Sequence, residues 1–540
     1  MTVAQDVLDT VSAMKVERAR FEPVWAQVAE RMDPYGAAME GRMGDMSRIF
    51  GARPLLLPDM FAAVFTSLLM PRGTFWHALS PLDEGLRENG QVKAWAAKMT
   101  RLLFRYRYAP LSGFAGLPRR MGRSLALYGA QCLLVKEEMA GEEGGKPLPP
   151  ILYEFVPINQ VCLARNHRGQ YDRAAREHEM TARQMAQAYG EAALPPAVRD
   201  ALNRSGEQER CFTVVHLVQP ASGAKAGHAF ESLHVERDSR TMLKRSGFHE
   251  FPFIASVMNE VPDSAYGWGP AMSALPDVKQ YYAMARTTTR AMEKAVDPPM
   301  GIRGKLERRI NLNAGAFNPD LIDEQGRPKF APLQSGAQPV LGLEGMERKS
   351  AEIGASFSEN LWQVLANKPG MTAYEAAIRA QEKGDLIGPP FAPQEEMLGL
   401  LVERELAILE RKARYGEIRL PERPPVLEGQ PVTLEFTSPM ARLRKAGETT
   451  GLYRALEFVQ AAGQMDAKVP RMIDWDKAAR MVADNEGVPA DLIVPAEELS
   501  RQMRDEEAER QQQAQMMLMQ QMAAQQPGAV PETGPALEMP

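Results

Sequence analysis

AYGWGPAMSALPDVKQYYAMARTTTRAMEKAVDPPM, residues 265–300, is the stretch around which the rest of the chain arranges itself. After Pro276 nothing interrupts a helix until Asp297-Pro298-Pro299 stops it. Leu275, Val278, Tyr282, Ala285, Thr289, Met292 and Val296 recur at alternating three- and four-residue steps, the seam of a helix packed lengthwise on a neighbour. At 1.5 Å per residue that seam is about 33 Å long. Tyr266-Gly267 and Gly269-Pro270 punctuate its start. Periodicity alone fits a core helix of a large protein equally well, so the neighbouring segments carry the distinction.

Five hundred and forty residues exceed one core, and three or four substructures are expected. With 25% charged and 44% hydrophobic residues the composition is that of a globular protein. A net charge of −5 supplies no global field for gripping a polyanion. Cys132, Cys162 and Cys211 lack CxxC spacing and predict no disulfide framework. The N-terminus carries no signal-peptide pattern, and Met60–Met70 is too short to span a bilayer, so cytosolic folding without membrane contact is expected.

Upstream, Val3–Met32 reads as an amphipathic helix that Pro23 kinks or splits. A second helix follows Pro58, then an extended Thr74–Leu79, then helices over Val92–Arg107 and Gly116–Tyr128. Ala130–Glu137, Ile151–Val156, a hairpin of Val161–Arg165 with Tyr171–Arg176, Cys211–Gln219, His234–Glu236 and Phe251–Ile254 read as strands, with a Thr181-capped helix among them. The first 265 residues therefore form an α+β body. Downstream, Met300–Leu343 holds six glycines and four prolines and reads as an irregular small β module. Helix returns over Met346–Leu365 and breaks at Asn367-Lys368-Pro369-Gly370. Thr372 and Glu375 form a capping box for the next helix, and Gly388-Pro389-Pro390 breaks it before Gln394–Tyr415. Val432–Phe436 is a strand, and Ala441–Ala462, Trp475–Asn485 and Pro495–Ala514 are helices. The remaining QQQAQMMLMQQMAAQQ run and its Pro/Gly-rich end are low in complexity and expected to be disordered.

Chemistry-bearing motifs are missing. Gly144-Gly145-Lys146 runs into Pro147 instead of a hydroxyl residue, no GxGxxG follows a strand, and GxSxG does not occur. The seven histidines lack ligand spacing, and His178-Glu179 has no second histidine four positions on. No catalytic, cofactor or metal residues are assigned, and no cofactor is expected. Lys279, Arg286, Arg290 and Lys294 flank the apolar stripe of the long helix; they either face a polyanion or form a solvated edge balanced by Asp277 and Glu293.

The order of parts resembles the portal proteins of tailed bacteriophages, more narrowly the head-to-tail connectors of short-tailed, T7-like phages. Phe21 through Trp25 to Pro34, MPRGTFWHAL at Met70–Leu79, Phe251-Pro252-Phe253, Tyr266-Gly267 and Asp297-Pro298-Pro299 carry the resemblance. So do Gly315 in LNAGAFNP and Met371-Thr372-Ala373-Tyr374-Glu375-Ala376 with Arg379 and Glu382. None is specific alone; order and spacing make the match, over nearly the whole chain. Trp268 departs from the small or basic residue the pattern favours.

The resemblance implies a predominantly helical α+β subunit with wing, stem, clip and crown regions, forming a homododecameric ring at one capsid vertex. Double-stranded DNA passes non-specifically through the axis during packaging and ejection, and terminase large subunit, tail adaptor, capsid and scaffolding proteins are the partners. The wing falls on 1–269, the stem on 270–296 and 346–365, and the clip on 297–345. The tunnel loop falls on Ala366, Asn367, Lys368, Pro369, Gly370 and Met371, with Lys383–Ala392 as the alternative. A long interrupted helix and wing strand occupy 372–440, a helical crown 441–514, and a disordered tail 515–540. The implied location is the virion, with host cytoplasm during assembly. Twelve helices spaced 8–10 Å apart put their axes on a circle roughly 34 Å across. Less one helix diameter, an opening of roughly 24 Å remains, enough for a duplex. A near-neutral wall lets DNA slide where ion pairs would hold it. The competing readings are a multidomain cytosolic enzyme with a site built from scattered residues, and a helical scaffold or adaptor.

Overall fold

Trp25 sits at the centre of the main core, fully buried, with its indole N–H donating to the Tyr128 carbonyl at 3.2 Å. Its ring meets Tyr266 edge-on at 5.5 Å, and Phe21 lies 5.6 Å from the same tyrosine. The segment before the long helix is thereby packed on the first helices of the chain. The computed structural model describes residues 2–34, 46–87, 89–138, 141–143, 146–221, 227–303, 310–311, 313, 315–318, 321–322, 324–333, 336, 338–359, 373–463, 468–486, 494 and 496–524. Helix accounts for 54% and strand for 20%, so the α+β chain is predominantly helical.

Pro23 divides the N-terminal helical stretch into Val3–Arg18 and Glu22–Met32. The first of these lays Ala4, Val7, Val11 and Met14 on one face of a five-stranded antiparallel sheet. Its strands run, from edge to edge, Thr241–Phe248, Phe230–Glu236, Cys211–Pro220, Tyr171–Thr181 and Val161–Arg165. The alternation along Cys211–Pro220 explains the two covers. Val215 and Leu217 meet the N-terminal helix, while Phe212 and Val214 meet helices Ala182–Tyr189 and Pro196–Asn203. Thr181 and Gln184 form a capping box at the start of the former. Thr241–Phe248 is a strand the sequence patterning did not suggest.

A three-stranded antiparallel sheet of Phe253–Val257, Ala130–Glu137 and Ile151–Val156 lies inside the main core, surrounded by helices Arg53–Leu69, Gly90–Arg107 and Leu117–Tyr128. His77–Pro81 pairs antiparallel with Val432–Phe436, so the last strand returns to the first.

Four expectations differ from the structure, while the long helix fills the expected 270–296. Helix Arg53–Leu69 runs through Pro58 instead of starting after it, because buried Leu57, Phe61 and Phe65 pack on both sides of the proline. The long helix spans Pro270–Val296, beginning six residues before Pro276; Ala271, Met272 and Ala274 are buried in the main core and hold that first turn, with Pro270 at the tolerated first position. The return helix spans Pro339–Ser356, beginning seven residues before Met346, and residues 360–365 of the expected Met346–Leu365 lie outside the described residues. Gly388-Pro389-Pro390 does not break the backbone, which is helical throughout Ala373–Arg414, about 63 Å at 1.5 Å per residue. Phe391, directly after the prolines, is buried between Phe61 and Phe65, at 6.1 and 6.0 Å. The last helix, Ala496–Ala524, enters the glutamine-rich run expected to be disordered, and residues 525–540 lie outside the described residues.

Candidate stem and its anchorage

Two glycines set where the long helix begins. Gly129, at φ +71, ends helix Leu117–Tyr128, and a β-carbon there would lie 2.5 Å from the Gly269 nitrogen. One on Gly269 would lie 2.7 Å from the Gly129 nitrogen. Two backbones cross where only glycine fits, which gives the Tyr266-Gly267-Trp268-Gly269 punctuation a physical cause.

From this crossing the long helix runs beside helix Glu22–Met32 and then along the return helix. Leu275, Val278, Tyr282 and Ala285 are buried. Tyr282 donates its hydroxyl to the Arg31 carbonyl at 2.9 Å, and burial pushes its pKa up. Beyond Ala285 the buried position is Thr288, while Thr289, Met292 (37% exposed) and Val296 (87% exposed) face outward from the single chain. The return helix approaches through its own glycines: a β-carbon on Gly342 would lie 2.2 Å from Thr288 Oγ1, and one on Gly345 2.3 Å from Met284 Cε. Read as loop punctuation, these glycines are points of helix contact, which is why the return helix starts earlier than expected. Lys349 bridges the two helices, 2.8 Å from Asp277, and holds Glu352 on its own helix at 2.6 Å.

Lys279, Arg286, Arg290 and Lys294 occupy one exposed strip of the long helix. Lys279 donates to Gln27 at 2.5 Å, and the Arg286 guanidinium lies 6.0 Å from the Phe50 ring. Arg290 and Lys294 make no ion pair among the described residues. Past Val296, Met300–Ile302 pairs with Phe330–Pro332 in a two-stranded ribbon. Ala366, Asn367, Lys368, Pro369, Gly370, Met371 and the Thr372 cap lie outside the described residues. The alternative loop, Lys383–Ala392, is helical in its backbone.

The far half of helix Ala373–Arg414 is clamped to the body by groups that sequence reasoning missed. Glu405 and Arg107 form a fully buried pair, with Arg107 Nε donating to Glu405 Oε1 at 3.0 Å. The Tyr153 hydroxyl donates to the same oxygen at 2.7 Å. Arg107 Nη1 lies 3.0 Å from His77 Nε2, and the guanidinium lies over Trp76 at 4.5 Å. Burial, reinforced by Arg107, drives the His77 pKa well down, so the neutral ring accepts from the guanidinium. On the same helix, Arg404, next to Glu405, donates to the Val135 and Glu250 carbonyls, both at 2.9 Å, and Arg411 holds Glu250 at 2.8 Å and Glu137 at 3.0 Å. Burial lowers Arg404 to about 10. Partners hundreds of residues apart leave no local sequence signal; the only hint was cations and carboxylates on the face of a helix otherwise apolar there.

Among the described residues no group of three or more His, Cys, Asp or Glu side chains is placed to hold a metal ion, and no helix is long and apolar enough to cross a membrane. What the geometry offers is a long helix pair braced on a rigid body.

That architecture belongs to a class known from sequence. The profile described as "Bacteriophage head to tail connecting protein" matches residues 4–494, and the chain belongs to this family. It is similar to the "Portal protein" of Salmonella phage epsilon15, 27% identical over 98% of this chain and 96% of that one. It is also similar to the "Probable portal protein" of Bordetella phage BPP-1, 24% identical over 92% and 90%. A chain of the neck of an empty gene transfer agent particle overlaps 77% of this chain and 89% of its own at 13% identity and a TM-score of 0.39. The function is that of a portal protein joining phage head and tail, a structural role in the virion.

Proposed function

We propose that twelve copies of the chain close into a ring at one capsid vertex, with the Pro270–Val296 and Pro339–Ser356 helices as the stem around an axial DNA channel. The observation that carries this reading is an apolar surface the single chain leaves uncovered at one end of the helix pair. Met292 and Val296 on the long helix and Val340, Leu341 and Leu343 on the return helix are 37–87% exposed. Exposed apolar side chains at this density mark an interface, and neighbouring stems in a ring would cover them. The ribbon of Met300–Ile302 and Phe330–Pro332 extends beyond this end as the clip, the side for terminase large subunit and then tail adaptor proteins. The helices after Pro439 form the crown on the capsid side, where capsid and scaffolding proteins meet the ring, and the segment around Ala366–Met371 is the tunnel loop. The chain assembles in host cytoplasm. DNA slides past a near-neutral wall, where ion pairs to every phosphate would hold it. Native mass measurement with an image along the particle axis tests the proposal. A closed ring near twelve copies with an opening of roughly 24 Å is expected; monomers or dimers under assembly conditions overturn it.

A further inference from the structure

Charge is unevenly distributed over this mildly acidic chain. Between Asn89 and Lys136 there are nine cations and no carboxylate side chain. Arg107, Arg119, Arg123 and Lys136 are spent on Glu405, Asp59, Asp33 and Glu154. Lys98 and Arg105 are exposed on helix Gly90–Arg107, with Arg101 between them on the same face, and these two make no ion pair among the described residues. The helix Ala373–Arg414 shows the opposite pattern. Its narrow exposed stripe carries Glu396, Glu403 and Glu410, with Leu400 49% exposed between the first two, and none of the three glutamates has an ionic partner among the described residues.

The pitches match. Lys98 and Arg105 are seven residues apart, as are successive glutamates, which places each pair about 10.5 Å apart along its helix. The Arg107–Glu405 pair fixes the direction of the two faces. At 100° per residue Glu405 lies about 160° around its helix from the glutamate stripe, and Arg107 about 150° around its own from the basic stripe. Because Arg107 and Glu405 reach each other through the core, the two helices turn their buried faces together. Their charged stripes therefore point to opposite flanks of the subunit. A surface and its complement on opposite flanks is the requirement for a head-to-tail contact that closes a ring.

We propose that the basic face of helix Gly90–Arg107 docks on the glutamate stripe of helix Ala373–Arg414 in the adjacent copy of this chain, with Lys98 and Arg105 against two of Glu396, Glu403 and Glu410. The proposal rests on the ring reading and adds its wing contact. The equal pitch of the acidic stripe favours a second copy over nucleic acid, which would need the basic face alone. Ionic contacts of this kind set orientation and exclude wrong pairings.

Two charge-reversed chains test it: K98E/R105E, and E396K/E403K/E410K. All five positions are exposed, so each variant is expected to keep the far-UV circular dichroism and unfolding midpoint of the unaltered chain. Native mass spectrometry is expected to show neither variant closing a ring alone. An equimolar mixture is expected to restore closed rings of even copy number, because each contact then joins one variant to the other. Rings from either variant alone overturn the proposal while leaving the ring reading intact. So does a mixture of folded variants that stays unassembled. If K98E/R105E forms rings but loses retention of a random-sequence DNA duplex, the basic face serves nucleic acid and the proposal fails. Should a variant misfold, the unaltered rings decide: they are expected to dissociate as ionic strength rises, and indifference to salt overturns the contact. An unaltered chain that never forms rings removes the ring reading itself, and the proposal with it.

Discussion

Replacing Glu405 with leucine strands the Arg107 guanidinium in a fully buried position, with His77 as its remaining side-chain acceptor. The substitution removes the carboxylate that accepts from Arg107 Nε at 3.0 Å and from the Tyr153 hydroxyl at 2.7 Å. Breaking one side of a buried ion pair costs about 3–5 kcal/mol, because the surviving charge has neither solvent nor counterion. At roughly 2–4 °C per kcal/mol for a body of 150–250 residues, the expected drop in Tm is about 6–20 °C. The double variant R107M/E405L removes the uncompensated charge and leaves only the Tyr153 hydroxyl and a His77 nitrogen without partners. It is expected to recover at least half of the loss. Thermal and urea unfolding followed by near-ultraviolet circular dichroism measure both effects. If E405L unfolds within about 1 kcal/mol of the unaltered chain, or if the double variant is as damaged as the two single losses added together, the pair is not the clamp described here.

Met292→Asp is expected to abolish rings while leaving the folded subunit intact, because Met292 is exposed in the single chain; Tyr282→Asp is expected to lower Tm as well, since Tyr282 is buried and its hydroxyl is bound to the Arg31 carbonyl. Rings of normal size from Met292→Asp refute the stem assignment. Gly342→Val places a β-carbon 2.2 Å from Thr288 Oγ1 and is expected to cost about 1–3 kcal/mol by forcing the stem helices apart, read as faster hydrogen exchange over both; unchanged exchange refutes the close approach. Burial lowers His234 to about 3 and His178 to about 4, so below pH 6.5 the unfolded chain takes up protons the folded chain refuses. Stability is therefore lost as pH falls from 6.5 towards 4, at roughly 1.4 kcal/mol per pH unit for each histidine. The His234→Gln variant is expected to show a shallower fall, and an unchanged slope counts against the assignment.

Local chemistry made much of the chain legible. Ala130–Glu137 and Val432–Phe436 are strands with the expected bounds, since runs of branched and apolar residues between turn signals specify them without help. Pro23 split its helix as its missing N–H demands. Proline and glycine misled where packing outweighed local preference: Pro58 sits inside a helix whose flanking residues are buried in the main core. Gly342 and Gly345 looked like loop residues because the sequence does not show the neighbouring helix that needs their lack of side chain. On the long helix, Leu275, Val278, Tyr282 and Ala285 are buried within the chain. Met292 and Val296 are exposed on the same helix, and a pattern of apolar residues does not say where each one packs.

The ribbon of His77–Pro81 and Val432–Phe436 has a consequence in time. Thr437 donates its hydroxyl to the Phe75 carbonyl across 362 residues, so this edge of the body cannot form until most of the chain has left the ribosome. At 5–20 residues per second the delay is roughly 20–70 s. Throughout that interval this strand edge is open and the clamp from Glu405 to Arg107 is unmade. A subunit still being translated therefore lacks the far half of its longest helix, together with the flank it turns outward. Pairing of this edge is confined to nearly complete chains by the order in which the polypeptide emerges.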